Sequence, residues 1–135
     1  MMRRNRAGFT LIELMIVVII IAALAAMGTP RLIERSDEMK AKIAEGDIAQ
    51  ISLALKLYRL DNDSYPTTAE GLNALMVKPS SAGNWKGPYL EKPPLDPWKR
   101  LYEYQCPGTH NVGGFDLSSL GKDAQVSQDD IANWK

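Results

Sequence analysis

The most prominent hydropathy feature of the chain is one long apolar segment within its first thirty residues. From Phe9 to Met27 only Thr10 and Glu13 interrupt a run of apolar side chains. About 20 such residues span the hydrocarbon core of a bilayer as an α-helix. Three arginines precede the run and no basic residue follows it immediately, which favours a cytoplasmic N-terminus. The pattern therefore predicts a membrane-inserted helix followed by a translocated C-terminal part.

The acidic side chain of Glu13 is the feature of this segment that needs an explanation. A carboxylate at membrane depth costs about 2.5–3.5 kcal/mol. A signal peptide cleaved after the small residues of "ALAAM" does not need it, and neither does an uncleaved signal anchor. Both interpretations remain open from the hydropathy pattern alone, and neither accounts for Glu13.

A second helical pattern follows the apolar segment. From Arg31 to about Leu60 apolar residues recur mostly at helical spacing between charged ones. They are Leu32, Ile33, Met39, Ile43, Ile48, Ile51, Leu55 and Tyr58. Gly28 and Pro30 separate the two segments, so they either end the first helix or loosen a single long one.

The remaining residues, 62–135, have the pattern of a small globular head. The turn-rich "DNDSYP" ends the long helix. Thr67 or Thr68 together with Glu70 predicts a capped short helix, with Leu72, Leu75 and Met76 on its inner face. Residues 80–98 are rich in proline and glycine and predict an ordered loop. Its large apolar side chains are expected to cover the core: Trp85, Tyr89, Leu90 and Trp98.

The end of the chain contains two segments with alternating polarity. "RLYEYQC" and "GGFDLSSL" predict an antiparallel hairpin across the turn-rich "PGTHNV". "IANWK" predicts a third short strand or a docking segment anchored by Trp134. The predicted class is α+β, with a long N-terminal helix, a short helix and a small antiparallel sheet.

Charge and reactive residues exclude several kinds of function. Without the first eight residues, 13 basic residues stand against 16 acidic ones, so no basic stripe is available for nucleic acid. Cys106 is the only cysteine and cannot form an intrachain disulfide; within a strand it is typical of a small buried side chain. His110 is expected to be an exposed turn residue, and no nucleophile, base and orienting group occur together, so no enzyme is predicted.

The N-terminal motif "RAGFTLIELMIVVIIIAALAAM" resembles that of type IV pilins and of the pseudopilins of type II secretion systems. The resemblance implies that a prepilin peptidase cleaves after Gly8 and methylates the new N-terminal Phe9. It also implies that Glu13 pairs with the terminal amine of a neighbouring subunit during assembly. Opposite charges that are desolvated together offset much of the cost of burying either one.

The head extends this resemblance to nearly the whole chain. The motifs "YPTTAEGLNAL", "GPYL", "PLDPW", "PGTH", "FDLSSLGKD" and "DIANW" are similar to those of the major, G-type pseudopilins. The resemblance implies a leader at 1–8, a transmembrane and filament-core helix half at 9–29, an amphipathic half at 30–61 and a periplasmic head at 62–135.

It further implies an inner-membrane protein that forms a homopolymer, the periplasmic pseudopilus. Its expected partners are minor pseudopilins, the prepilin peptidase and the inner-membrane secretion platform, and its expected role is the export of folded proteins across the outer membrane. Two alternatives are a type IV pilin for adhesion, motility or DNA uptake, and an exported calcium-binding module with a standard signal peptide.

The segment "LGKDAQVSQDDIANW" is the candidate metal site. Its spacing does not fit an EF-hand, and pattern alone favours an acidic surface loop over a Ca²⁺ site. The resemblance implies calcium, with Asp123 and the carbonyls of Leu120 and Val126 as ligands and Asp129 or Asp130 completing the shell. The stretch "AQVSQ" is shorter than the family's loop and lacks its glycines, which leaves open which aspartate binds and whether the site is retained.

Overall fold

The computed structural model describes residues 8–135, which separate into two compact units with the boundary between Ser36 and Asp37. The first secondary-structure element is helix α1, Leu11–Asn62. It continues through Gly28 and Pro30, so the alternative of a helix end at this position is wrong. An interior proline removes one backbone hydrogen bond and can kink a helix without ending it. The helix is long and apolar enough to cross a membrane, and its apolar side chains before Gly28 are exposed.

Only the second half of the predicted amphipathic stripe is buried. Ile48, Ile51, Leu55 and Tyr58 lie in the hydrophobic core, together with Ala54 of the same helix. Leu32, Ile33, Met39 and Ile43 are exposed. The helix predicted from this periodicity is confirmed. The periodicity does not distinguish apolar side chains that pack within the chain from those that stay at its surface.

The predicted short helix is a 3-10 helix, Gly71–Leu75, preceded by a capped turn. The amide of Glu70 donates to the Thr67 hydroxyl at 3.2 Å, and the Thr67 amide donates to the Glu70 carboxylate at 2.9 Å. Gly71 then takes a φ of +60°, outside the right-handed helical region, so the turn does not extend into an α-helix. Leu75 is fully buried, as predicted for the inner face, while Leu72 and Met76 are half-buried.

Three short strands form an antiparallel sheet in the order β1-β2-β3. They are β1, Glu103–Gln105, β2, Asp116–Ser119, and β3, Ile131–Ala132. Tyr104 pairs with Leu117 in the predicted hairpin, and Ser119 pairs with Ile131. The third strand predicted from "IANWK" is thus present, and it brings the segment before Ile131 beside the end of β2.

Loop side chains complete the core, largely as predicted. Trp85, Tyr89 and Leu90 pack against the buried cluster. The Trp85 indole also donates to the carbonyl of Ala74 at 2.9 Å, which ties the loop to the 3-10 helix. Trp98 is instead half-buried in a tight turn closed by a bridge between Leu95 and Leu101.

Candidate functional site

The predicted processing site lies at the N-terminal boundary of the described residues. Gly8 and Phe9 precede α1 and are exposed, with 88% of the Phe9 surface accessible. The rest of the predicted leader, residues 1–7, lies outside the described residues. An exposed segment outside a helix or strand is the form in which a peptide bond is accessible to a peptidase.

Glu13 makes a local contact at the start of the helix. Its amide donates to the Thr10 hydroxyl at 3.2 Å, and the Thr10 amide donates to the Glu13 carboxylate at 3.5 Å. This reciprocal arrangement is a capping box, in which a threonine and a glutamate three residues later satisfy helix N-terminal amides. The sequence signal was the T-x-x-E spacing of "TLIE", whose capping role our sequence reasoning missed. Glu13 therefore helps to begin α1 as well as carrying a charge.

The acidic loop between β2 and β3 brings three predicted ligands together. One carboxylate oxygen from each of Asp123, Asp129 and Asp130 lies within 4.8 Å of the other two. Both of the alternatives for the last ligand, Asp129 and Asp130, thus belong to the same cluster. Asp123 also accepts the Gln125 amide at 3.1 Å, which holds its side chain in an Asx turn inside the loop.

Asp130 differs from the other two carboxylates because it is buried. Only 8% of its surface is accessible, and its Oδ1 has no hydrogen-bond partner within residues 8–135. A buried carboxylate oxygen without a partner costs free energy unless a proton donor or a cation satisfies it. Three convergent carboxylates and one unsatisfied buried oxygen suit a hard divalent cation with oxygen ligands.

The two predicted carbonyl ligands lie on the same loop. Leu120 is half-buried directly after β2, whereas Val126 is exposed near the middle of the loop. The short Gly-free stretch adopts its turn with a left-handed residue, since Ala124 has a φ of +58°. An alanine thus takes a conformation for which glycine is normally favoured.

Two further side chains stabilise the negative charge and the backbone of this loop. The Ser127 hydroxyl donates to the Asp129 carboxylate. The pKa of Asp129 is lowered by this bond first, then by its own backbone amide and by the charge of Lys135. The Lys135 ammonium donates to the carbonyls of Gln128 and Asp130, both at 2.7 Å. Lys135 therefore ties the loop backbone to the end of the chain, and the Ser127 bond favours the ionised form of Asp129, the form that binds a cation.

A second buried carboxylate, Asp116, organises the turn between β1 and β2. Its Oδ2 accepts the amides of Thr109 and His110 at 2.8 and 2.9 Å, and its Oδ1 accepts the Asn111 amide at 2.9 Å. Burial raises the pKa of Asp116, but these hydrogen bonds outweigh it and hold the pKa well below its ordinary value. Sequence reasoning missed this residue.

The same turn contacts the end of the chain. Nδ1 of His110 lies 3.1 Å from the Asp116 carboxylate, and the imidazole ring stacks on Trp134 with 4.1 Å between ring centroids. His110 is exposed, as predicted, and Trp134 anchors the segment that follows β3. Cys106 is half-buried just after β1, with its thiol 3.5 Å from the Gly114 carbonyl.

The long helix, small antiparallel sheet and N-terminal motif define a pilin-like protein. A family model described as the prokaryotic N-terminal methylation motif matches residues 3–29. A second model, described as type II secretion system protein G, matches residues 31–134. The chain therefore belongs to the type II secretion system protein G family.

Curated relatives and a solved structure agree with this assignment. A type II secretion system core protein G from Pseudomonas aeruginosa is 47% identical, with 99% of each chain covered. One from Escherichia coli K12 is 40% identical over 96% of this chain and 92% of the relative. The crystal structure of the major pseudopilin of enterohaemorrhagic Escherichia coli matches with a TM-score of 0.70 and 34% identity, covering 78% of this chain and 92% of that one. The resemblance to pseudopilins is thus confirmed.

Proposed function

We propose that this chain is the structural subunit of a periplasmic pseudopilus, whose polymerisation drives the export of folded proteins across the outer membrane. The observation that carries this proposal is the row of apolar side chains left exposed along α1, from Leu11 to Ile43. A monomeric soluble protein rarely exposes so large an apolar surface. A bilayer covers the first half before assembly, and neighbouring helices cover it in a filament.

The family and the N-terminal segment support the membrane location and the partners proposed here. The chain inserts as a single-pass inner-membrane protein with its head in the periplasm. It is cleaved after Gly8 and methylated on Phe9 by a prepilin peptidase, and it then polymerises with itself and with minor pseudopilins on the inner-membrane secretion platform. The family model for a secretion protein covers the head, which favours this role over a pilin for adhesion, motility or DNA uptake.

Processing is tested by the intact mass of the protein isolated from a membrane that also contains its prepilin peptidase. The proposal predicts a chain that begins at Phe9 and bears one added methyl group. A chain that begins near Ala26 would instead support an exported module with a standard signal peptide. A Gly8→Leu variant, which alters the residue before the cut, is the matched control and is expected to retain its leader.

The role proposed for Glu13 combines its local contact with its charge. Its carboxylate caps α1 through Thr10 and pairs with the Phe9 amine of a neighbouring subunit. An unpaired carboxylate in an apolar environment would be strongly unfavourable, so assembly is expected to favour the register in which the pair forms. This is a specificity argument and does not require the pair to add net stability.

We also propose that the loop between β2 and β3 binds Ca²⁺. Asp123, Asp129 and Asp130 would supply the carboxylates, and the carbonyls of Leu120 and Val126 would complete the shell. The unsatisfied Oδ1 of Asp130 is the observation that supports it. When bound, calcium would neutralise the clustered carboxylates and hold together the ends of β2 and β3.

Thermal unfolding of the full-length protein in detergent tests calcium binding. At a free Ca²⁺ concentration of 100 times the dissociation constant, binding stabilises the folded state by about 2.7 kcal/mol. For a unit of this size, each kcal/mol raises the melting temperature by roughly 4–8 °C. EDTA should reverse the shift, and Asp130→Asn should abolish it, whereas Glu45→Gln on the exposed face of α1 should retain it. An unchanged melting temperature at millimolar Ca²⁺ would refute the site.

A further inference from the structure

The residue that opens the acidic loop, Gly121, is held at both of its backbone polar groups. It is buried directly after Leu120 and has a φ of +66°. Its amide donates to the Ser119 hydroxyl at 3.2 Å, and its carbonyl accepts a hydrogen bond from the guanidinium of Arg100. The direction in which the loop leaves β2 is therefore fixed by two side chains.

Both side chains belong to one connected arrangement around Asp96, which is 3% exposed. Its Oδ1 accepts the amides of Trp98 and Arg100 at 3.0 and 2.8 Å. Its Oδ2 accepts the Ser119 hydroxyl at 2.7 Å. The Asp96 amide also donates to the Arg100 carbonyl at 2.8 Å. The turn 96–100 thus positions the backbone of Arg100 and orients Ser119 toward Gly121.

The two ends of the loop are fixed by different means. Pairing of Ile131 with Ser119 in the sheet places Asp130 at the exit. The entry lies beyond the end of β2 and is not paired with another strand among residues 8–135. The hydrogen bonds that Gly121 accepts from Arg100 and donates to Ser119 therefore fix the backbone there. Leu120 and Asp123, which flank Gly121 at one and two residues' distance, depend on its conformation for their placement.

The charge of Arg100 makes this contact unexpected. A guanidinium next to a cation-binding loop repels the cation, and electrostatics alone would favour a neutral residue. The Nε of Arg100 is also buried without a hydrogen-bond partner in the described residues, which adds a desolvation cost. The hydrogen bond from the guanidinium to the Gly121 carbonyl is the favourable contact set against these two costs.

We infer that Arg100 is a positioning residue for the calcium loop: by holding the Gly121 carbonyl it fixes the loop entry and raises Ca²⁺ affinity despite its own positive charge. The inference rests on the calcium binding proposed above. Removing a side chain that orients metal ligands through hydrogen bonds, without binding the metal itself, typically lowers metal affinity by about 10–100-fold. If Arg100 mainly positions the loop, its removal weakens Ca²⁺ binding. If it mainly repels the cation, its removal strengthens Ca²⁺ binding.

The test is calorimetric titration of the full-length protein in detergent with Ca²⁺. Arg100→Met removes the charge and the contact and is expected to weaken Ca²⁺ binding by about 10-fold or more. Arg100→Lys keeps a charged donor and is expected to restore most of the affinity. Lys122→Met is the control, because it removes an exposed cation directly after Gly121. The Lys122 ammonium pairs with Asp37 at 2.8 Å and does not contact the Gly121 carbonyl. This variant is expected to have an unchanged or higher Ca²⁺ affinity.

The melting temperature in EDTA, measured for each variant, separates positioning from a merely structural role. A variant with a lower melting temperature but the wild-type dissociation constant for Ca²⁺ would overturn the inference. Tighter binding by Arg100→Met would also overturn it, since charge repulsion would then be the dominant effect. Absence of Ca²⁺ binding in the wild-type protein would refute the site itself. If Arg100→Met does not fold, Arg100→Gln, which keeps a polar end group too short for the same contact, takes its place.

Discussion

Replacing Asp116 by asparagine removes one charge from the most heavily hydrogen-bonded carboxylate among residues 8–135. Three backbone amides, from Thr109, His110 and Asn111, donate to its two oxygens. An asparagine has only one acceptor oxygen, so its NH₂ group must face at least one of these donors. The variant has nearly the same volume, so a change in stability reports the polar contacts rather than packing.

The expected loss of stability follows from these contacts. A hydrogen bond to a charged group contributes about 1.5–3 kcal/mol, and a buried amide left unpaired costs about 1–3 kcal/mol. The favourable Asn rotamer, with NH₂ at the Oδ1 position, gives up only the Asn111 bond and weakens the others. We therefore expect Asp116→Asn to lower the free energy of unfolding by about 2–4 kcal/mol.

Urea denaturation followed by tryptophan fluorescence measures this loss. All three tryptophans, Trp85, Trp98 and Trp134, lie in the head, so the signal reports the unfolding of this part of the chain. Asp37→Asn is the matched control, because its ion pair with Lys122 is at the surface and contributes at most about 1 kcal/mol. A loss below 1 kcal/mol for Asp116→Asn, or an equal loss for the control, would show that the turn does not depend on this carboxylate.

Two other predictions concern the same head. Because the folded-state pKa of Asp116 is lowered, its contribution is complete above the unfolded pKa of about 4 and is lost as the pH falls through the folded pKa. The difference between wild type and Asp116→Asn in denaturation should therefore shrink below about pH 4; a constant difference would contradict this. Leu55→Ala, at a fully buried position, should cost about 2.7–5 kcal/mol in the same assay, whereas Leu57→Ala, 45% exposed, should cost far less.

The hairpin and the third strand were predictable from sequence because alternating polarity and turn residues are local signals. The burial of β2 was not. Every residue from Asp116 to Ser119 is buried, although alternation predicts that polar side chains face solvent. β2 is the central strand, and both of its faces are covered, so its polar residues find partners inside: Ser119 bonds to Asp96, and Asp116 to the preceding turn. Partners 23 residues apart leave no periodic signal in the sequence.

The candidate metal loop shows the same division between local and long-range information. The cluster of Asp123, Asp129 and Asp130 was predictable because all three lie in one short segment. Their differing burial was not, since Asp123 and Asp129 are exposed while Asp130, directly before β3, is buried by the fold. Arg100 had no recognisable role in the sequence, because it meets Gly121 through the fold. The capping box of Glu13 is also a local signal, since the T-x-x-E spacing of "TLIE" places Thr10 and Glu13 three residues apart.

Filament assembly by charge variants of Glu13 tests the central claim most directly. The wild-type chain, Glu13→Gln and Glu13→Leu would be produced with the prepilin peptidase and the secretion platform, and filaments counted by electron microscopy. Glutamine still forms a capping box but has no charge, so it separates helix initiation from pairing with the Phe9 amine. We predict membrane insertion of all three chains and filaments from the wild type alone. Wild-type numbers of filaments from Glu13→Gln would contradict the pairing, and no filaments from the wild type would contradict the proposed function.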